Sequence, residues 1–488
     1  MTLTYTPVIG LEIHVQLLTK TKLFCGCSTD YIGAVPNSNI CPVCTGQPGT
    51  LPILNAEAVR LGARAALALH CTLRHATRFH RKNYFYPDLP KAYQITQYDL
   101  PLGEKGFLDI SLKNGIKRIG ITRLHLEEDA GKLVHAASDG RLSGATDSLV
   151  DYNRGGVPLA EIVSEPDLAS PEEAREYVSA IRRLVRYLEV SNGDMEAGSL
   201  RVDANISLKV SDGRWGNRTE VKNVNSLRAL ERAIFYEMER QEKLLEKGME
   251  ILQETRHWDD SKGITHSSRG KEDAHDYRYF PEPDIPPLVL SKEDVQKMRE
   301  TLPELPWEKE KRFQKEYGLE EEDVKILVED GAVACYFEDL VSSGSSPDRA
   351  SKWMQTEVFR VCNDRKISLQ NFPVSSKVLG KLLRKIDAEG LSTTGARDIF
   401  ECLLEEKCSL EEAFAKTGVA SSALEGNALK ELIKTVCEEQ AETVEILRQG
   451  KDAKGKKRKF LQGQIMRASR GQAKIEEVEQ MLEEFLQK

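Results

Sequence analysis

The sequence predicts an α+β protein with three parts: a mixed α/β domain over residues 1–290, an all-helical domain over 291–404, and a small helical tail domain over 405–488. Three observations predict it. Two stretches of the first half alternate apolar and polar residues with a period of two. Nearly everything after residue 290 reads as amphipathic helix opened by capping residues. Between the two regimes, Pro281, Pro283, Pro286 and Pro287 close a run rich in breakers.

The elements follow in order. Ile9, Leu11, Ile13, Val15 and Leu17 alternate with Gly10, Glu12, His14 and Gln16, a half-buried strand on which Glu12 and His14 point the same way. Ser170-Pro171-Glu172-Glu173 supplies an N-cap, a first-turn proline and a capping-box glutamate. Ala174, Tyr177, Val178, Ile181, Leu184, Val185 and Leu188 then recur at helical spacing. A second alternating strand runs from Arg201 to Leu208. Another helix spans Ser226 to about Lys247 and stops at Gly248. From Gly263 to Pro287 the chain reads as loop. Ser291-Lys292-Glu293-Asp294 opens the helical part, and SSGSSPD at 342–348 separates two of its helices. No internal repeat occurs.

Composition bounds the rest. The chain has 488 residues, 69 Lys+Arg against 77 Asp+Glu, a net charge of -8 and 40% hydrophobic residues, which excludes wholesale disorder. The start, MTLTYTPVIG, lacks a basic segment followed by an apolar one, and no apolar run approaches a membrane span. A soluble cytoplasmic protein without a membrane partner is expected. The acidity hides a basic block: Lys451 to Arg470 holds eight basic residues and one acid. Such a block fits a polyanion or, equally, a solvated tail.

Ten cysteines in a chain without an export signal are expected to be reduced. Cys71, Cys335, Cys362, Cys402, Cys408 and Cys437 are scattered and read as small buried hydrophobes. Cys25, Cys27, Cys41 and Cys44 form two close pairs thirteen residues apart, a four-sulfur set that suits a closed structural Zn²⁺ site. Four reduced structural cysteines are the alternative.

No phosphate loop, G-x-S-x-G elbow or HExxH motif is present. The mixed domain instead concentrates acids: Glu12 beside His14, then Glu127, Glu128 and Asp129, Glu161 and Glu165, Asp194 and Glu196, and Glu220. Hard oxygens plus an imidazole suit Mg²⁺ or Mn²⁺ with nucleotide phosphates completing the shell. Each acid alone reads as a solvated surface group, and only convergence in space selects the metal site. Residues 78–94 interleave basic and aromatic side chains between prolines, a loop able to stack a base and hold phosphate, or simply an aromatic-anchored surface loop.

These motifs add up. VIGLEIHVQL, CPVCTGQPGTLP, RKNYFYPDLPKAYQITQ, HLEEDAGK, DYNRGGVPLAEIVSEPD, RVDANIS, EVKNVNS and AHDYRYFPEPD closely resemble the B subunit of bacterial tRNA-dependent amidotransferases, and GQIMRASRGQA resembles its tail. The resemblance runs almost end to end. It implies a cradle domain with an antiparallel sheet that binds ATP, Mg²⁺ (Mn²⁺ as the alternative) and the acceptor end of a mischarged tRNA(Gln) or tRNA(Asn). It implies phosphorylation of the attached Glu or Asp carboxylate and amidation by ammonia from the amidase (A) subunit, with a small C subunit completing a heterotrimer. Carried over by motif, Glu12, His14 and Glu128 are catalytic, and Glu12, His14, Glu127, Glu128, Glu161 and Glu220 hold Mg²⁺ or Mn²⁺. Arg81, Lys82, Tyr84, Lys91, Arg154 and Lys222 contact ATP or the aminoacyl end. Cys25, Cys27, Cys41 and Cys44 match the zinc knot of many members. Lys454, Lys456, Lys457, Arg458, Lys459, Arg467 and Arg470 supply tRNA phosphate contacts.

The chain departs from the family at two places. His80 stands where Asp is usual before Arg81-Lys82, which removes a hard ligand there. Gly471-Gln472-Ala473-Lys474-Ile475 stands where GKANP is common. No aspartyl-tRNA-synthetase-like insertion interrupts the helical region, unlike the archaeal relative. Two other readings stand beside this one: a catalytically idle tRNA-binding scaffold of the same complex, which retention of Glu12, His14, Glu127 and Glu128 disfavours, and an unrelated zinc-stabilised protein, which the ordered motifs disfavour.

Overall fold

A computed structural model describes residues 3–135, 146–270, 276–406, 408–419, 426–449, 455–469, 473 and 475–486. The chain divides into two compact units, Met1–Pro306 and Trp307–Lys488. The first opens with β1 (Tyr5–Gln16), α1 (Ala56–Ala68), β2 (Thr72–Leu73), β3 (Ala76–Thr77), β4 (His80–Asn83), β5 (Tyr93–Thr96), β6 (Gly103–Leu112) and β7 (Gly115–Glu128). It continues with β8 (Lys132–His135), β9 (Ser148–Asp151), β10 (Pro158–Ser164), α2 (Pro171–Tyr187), β11 (Leu200–Val210), β12 (Thr219–Val224) and α3 (Leu227–Glu246). β13 (Glu254–Asp259), β14 (Ile264–Gly270), β15 (Phe280–Pro281), β16 (Leu288–Val289) and α4 (Lys292–Glu300) complete it.

A twelve-stranded sheet organises this unit in the order β14-β13-β12-β11-β1-β10-β7-β5-β4-β15, with β6 beside β7 and β2 beside β6. Its pairs are antiparallel except β12 with β13. The predicted alternation of β1 sets its orientation. Ile9, Leu11, Ile13 and Val15 are at most 1% exposed. Leu124, Leu126, Ile162, Val202, Ala204 and Ile206 join them in the apolar layer. Burying that layer drives the packing of α1, α2 and α3 against the sheet. The intervening residues, polar by the same period, are left on the other face.

The helix starts follow the capping chemistry. The Ser170 hydroxyl accepts from Glu173 N at 3.1 Å, and Ser226 from Ala229 N at 3.0 Å. Glu173 reaches back to Ala169 N at 2.6 Å, one residue earlier than a capping box requires. The Ser291–Asp294 capping box is complete.

Several expectations are corrected. The stretch after Gly263 is not all loop, because β14 pairs with β13 as a hairpin. The first unit does not end at 290: Leu290 N donates to His75 O at 2.8 Å, and α4 packs on α1. Of the six scattered cysteines only Cys71 and Cys437 are buried, while Cys335 is exposed.

The second unit is helical: α5 (Pro306–Tyr317), α6 (Glu321–Leu327), α7 (Gly331–Ser342), α8 (Pro347–Trp353), a π-type turn at Met354–Val358, α9 (Phe359–Arg365) and α10 (Ser376–Glu389). Then follow α11 (Thr393–Glu405), α12 (Leu410–Thr417), α13 (Gly426–Glu439), α14 (Ala441–Arg448), α15 (Lys456–Ala468) and α16 (Ile475–Leu486). The loop at 342–348 separates α7 from α8 as expected. A break at 405 would part α11 from α12, which pack together. The tail core instead gathers Leu429, Ile433, Val436, Leu461, Ile465, Val478 and Leu482. Among the described residues no helix is long and apolar enough to cross a membrane.

Candidate functional site: an acid-lined cavity and a cysteine knot

Strand register builds the site. His14 of β1 lies opposite Glu161 of β10, which lies opposite His125 of β7. Glu12 lies opposite Asp203, and Asn205 opposite Glu220. Directly opposed residues project from one face, so these side chains share the polar face. All of them except Asn205 line a cavity of about 930 Å³.

At its floor, His14 Nε2 lies 3.4 Å from Glu161 and 3.5 Å from Glu127, and His125 Nε2 lies 3.3 Å from Glu161. His14, Glu127 and Glu161 each offer a ligand atom within 4.8 Å of the others. Burial opposes a charged His14 ring. Its hydrogen bond to Glu161 and the charges of Glu161, Glu127 and Asp203 outweigh burial and raise His14 to about 9. Glu161 is buried too, yet the His125 and His14 rings hold it well below the usual carboxylate range. Burial, then Glu161, Glu220 and Asp203, push Glu12 up. Asn205 steadies Glu12 with a 2.9 Å hydrogen bond, and Thr255 donates to Glu220 at 2.9 Å. This dense set of acids favours a cation.

Glu12, His14, Glu127, Glu161 and Glu220 therefore meet in one cavity, with Lys82, Tyr84 and Lys222 on its walls. Lys222 donates to Asp203 at 2.8 Å. Glu128 does not join them. It follows Glu127 on a strand and so faces the other way. There it ion-pairs with Lys91 and accepts from Ile95 N at 2.9 Å. Arg81 is engaged by Glu282 at 2.7 Å and covers the Tyr93 ring at 4.4 Å. Arg154 donates to Ala130 O and Gly131 O at 3.0 and 2.6 Å, pinning the chain after β7. Glu128, Lys91, Arg81 and Arg154 thus lie outside the acid-lined cavity. Asp129 returns to the polar face and takes Arg201 at 2.6 Å. Glu165 accepts from Thr122 at 2.7 Å, and Asp194 from Ala197 N at 2.9 Å, away from the cavity.

The cavity also holds residues outside the named candidates, although His125 lies in HLEEDAGK and Tyr277 and Tyr279 in AHDYRYFPEPD. His125 stands two before Glu127, the same spacing that paired Glu12 with His14. Tyr98, Tyr277 and Tyr279 form an aromatic wall with Tyr84. Tyr98 and Tyr279 stack at 4.1 Å, and Lys82 lies 4.6 Å over Tyr277. The tyrosine alternation in DYRYF was the available signal.

The four clustered sulfurs also converge within 4.8 Å of one another. Hydrogen bonding with Cys25 holds Cys44 down at about 4, and the same contact pushes Cys25 up. Burial leads the rise of Cys27 to about 11. Beside the knot lies a smaller cavity of about 250 Å³, lined by Lys22, Cys25, Cys44, Arg81, Lys91 and Glu128 among others.

In the tail, Lys456, Lys457, Lys459 and Arg467 are exposed on α15, while Arg458 pairs with Glu483 at 3.0 Å. Lys454 and Arg470 lie outside the described residues.

Fold and site together define an α+β protein that carries a cation-attracting cavity on a helix-backed sheet and a separate helical unit. Residues 7–296 match the family described as "GatB/GatE catalytic domain", and residues 335–486 match that described as "GatB domain". The chain is 46% identical over 485 residues to the B subunit of the aspartyl/glutamyl-tRNA(Asn/Gln) amidotransferase of Thermoanaerobacter sp. (strain X514), covering 99% of this chain and 100% of the relative. It is 47% identical over 484 residues to the protein of the same name from Thermotoga maritima, covering 99% of each. The chain belongs to the B-subunit family of the aspartyl/glutamyl-tRNA amidotransferases.

Proposed function

We propose that this chain, in a heterotrimer with an amidase (A) subunit and a small C subunit, converts Glu-tRNA(Gln), Asp-tRNA(Asn) or both to the amide at the cost of ATP. The γ-phosphoryl group of ATP passes to the side-chain carboxylate and ADP leaves. Ammonia from glutamine then attacks the activated carbonyl carbon, phosphate departs with one carboxylate oxygen, and the nitrogen sheds a proton. A carboxylate is a poor acyl donor at neutral pH, and phosphorylation supplies the leaving group.

The observation that carries this reading is the convergence of His14, Glu127 and Glu161 in the large cavity. Hard oxygens and an imidazole at that spacing suit Mg²⁺ or Mn²⁺. His14, Glu127 and Glu161 would hold the ion, with Glu12 and Glu220 beside them. A bound divalent ion neutralises phosphoryl charge during transfer. Lys222 and Arg218, also on the cavity wall, would supply positive charge to the phosphates of a bound nucleotide. The Tyr84, Tyr98, Tyr277 and Tyr279 wall offers stacking surface to an adenine or to the tRNA 3′ end. Water must be kept from the activated acyl group, or the group hydrolyses. Cys25, Cys27, Cys41 and Cys44 would hold a structural Zn²⁺, since four sulfurs leave no open position. The exposed cations of α15 support contact with tRNA phosphates.

The test is reconstitution with A and C subunits, mischarged tRNA, glutamine, ATP and Mg²⁺. Amidation that disappears with Glu161→Gln, while glutaminase activity of the complex persists, is expected. Full amidation by that variant would overturn the reading.

A further inference from the structure

Lys22 is the anomaly of the first unit: a lysine with 0% of its surface exposed. Charged side chains are rarely that deep unless paired. Among the described residues its ammonium donates to Tyr152 O at 3.3 Å and to Cys44 Sγ at 3.6 Å. Neither acceptor belongs to a carboxylate. The nearby Glu128 is already engaged by Lys91.

The backbone holds Lys22 in place. Lys22 N donates to Cys27 O at 3.0 Å, and Leu23 N to Gly156 O at 2.8 Å. Gly156 sits at φ +88 with its Cα against the lysine stem, where an added Cβ would come within 3.3 Å of Lys22 Cδ. A glycine suits that φ, and an added Cβ would press on the lysine stem. The stem is walled in and its charged end is aimed at sulfur.

We propose that Lys22 is the built-in counter-charge of a zinc–tetrathiolate at Cys25, Cys27, Cys41 and Cys44. Four thiolates around Zn²⁺ leave two net negative charges, which a buried ammonium reduces to one. Its N–H···S contact also lowers the electron density that makes a thiolate sulfur open to protons and electrophiles. Partners behind the ligands of a metal site commonly alter its affinity by roughly 10–100-fold. This inference rests on the zinc reading above.

The experiment uses the full chain with Lys22→Gln, which keeps a donor for Tyr152 O but removes the charge, and with Lys22→Arg, which keeps the charge. Zinc content is measured by mass spectrometry, zinc release is timed with a chromogenic chelator, and alkylation of Cys44 by iodoacetamide is followed. One zinc per chain in the parent is expected, with release roughly 10–100-fold faster and Cys44 alkylated sooner in Lys22→Gln. Lys22→Arg should stay close to the parent. Equal release from parent and Lys22→Gln, both folded by circular dichroism, overturns the role of Lys22 and leaves the zinc site standing. A parent that binds no zinc overturns the zinc reading itself. Should Lys22→Gln not fold, Lys22→Arg decides, and zinc loss from a folded Lys22→Arg chain counts against charge as the cause.

Discussion

The first unit carries two ligand clusters built in opposite ways. The cysteine knot takes all four sulfurs from residues 25–44, and they close on one another within 4.8 Å. The acid cluster takes His14, Glu127 and Glu161 from three strands and opens onto a cavity of about 930 Å³. On the zinc reading, four sulfurs around one ion would leave no coordination position for a substrate, so the first would serve the fold. The second leaves donors facing open space, the arrangement a reacting group needs. Closure, more than ligand number, separates a structural site from a chemical one.

Breaking the open cluster has the largest expected effect. Glu161→Gln removes the carboxylate shared by His14 and His125, and amidation by the reconstituted complex should fall by about 10²–10³-fold. Breaking the closed cluster should cost stability. Cys44→Ser should lose zinc and lower the melting temperature of the chain by roughly 5–10 °C, measured by calorimetry, because a structural metal contributes folding energy directly.

A sharper comparison lies within β7. Glu127→Gln should weaken Mn²⁺ binding by roughly 10–100-fold in titration calorimetry, while Glu128→Gln should change it less than about twofold. Equal losses from both variants would return Glu128 to the ligand set. Outside both clusters, replacing Lys456, Lys457 and Lys459 by Ala should weaken tRNA binding about tenfold and lower the salt slope by about 0.9 per lysine.

The smallest effect is a pH dependence of the cation-free chain. His14 titrates near 9 when folded, against an ordinary value near 6.5. A raised folded pKa means that the imidazolium stabilises fully below the unfolded value, and that this contribution is lost as pH rises through about 9. In EDTA the melting temperature should fall between pH 7 and 9.5, and a His14→Gln chain should lack that component.

The two clusters also differ in how legible they were. The cysteine set was legible because two close pairs within one twenty-residue segment have metal-ligand spacing. Glu12 and His14 were legible because β1 alternates cleanly. The run Glu127-Glu128-Asp129 was not, because which carboxylates face the cavity is fixed by the pairing of Pro158 with Glu128 and Leu159 with Glu127. Local sequence does not contain that register. The same reason hid His125, whose role depends on lying across from Glu161. The tyrosine wall joins Tyr98 to Tyr279 from a distant segment. The break after Pro306 was missed because α4 carries a good cap whether it docks on α1 or belongs to the next unit.

β7 acts as a party wall. Glu127 looks into one room and Glu128 into the other, and their α-carbons are about 3.8 Å apart. No shift of the strand end can reach one room alone. Deleting a single residue ahead of this pair would make the two acids trade rooms, so the wall tolerates substitution far better than a change of length.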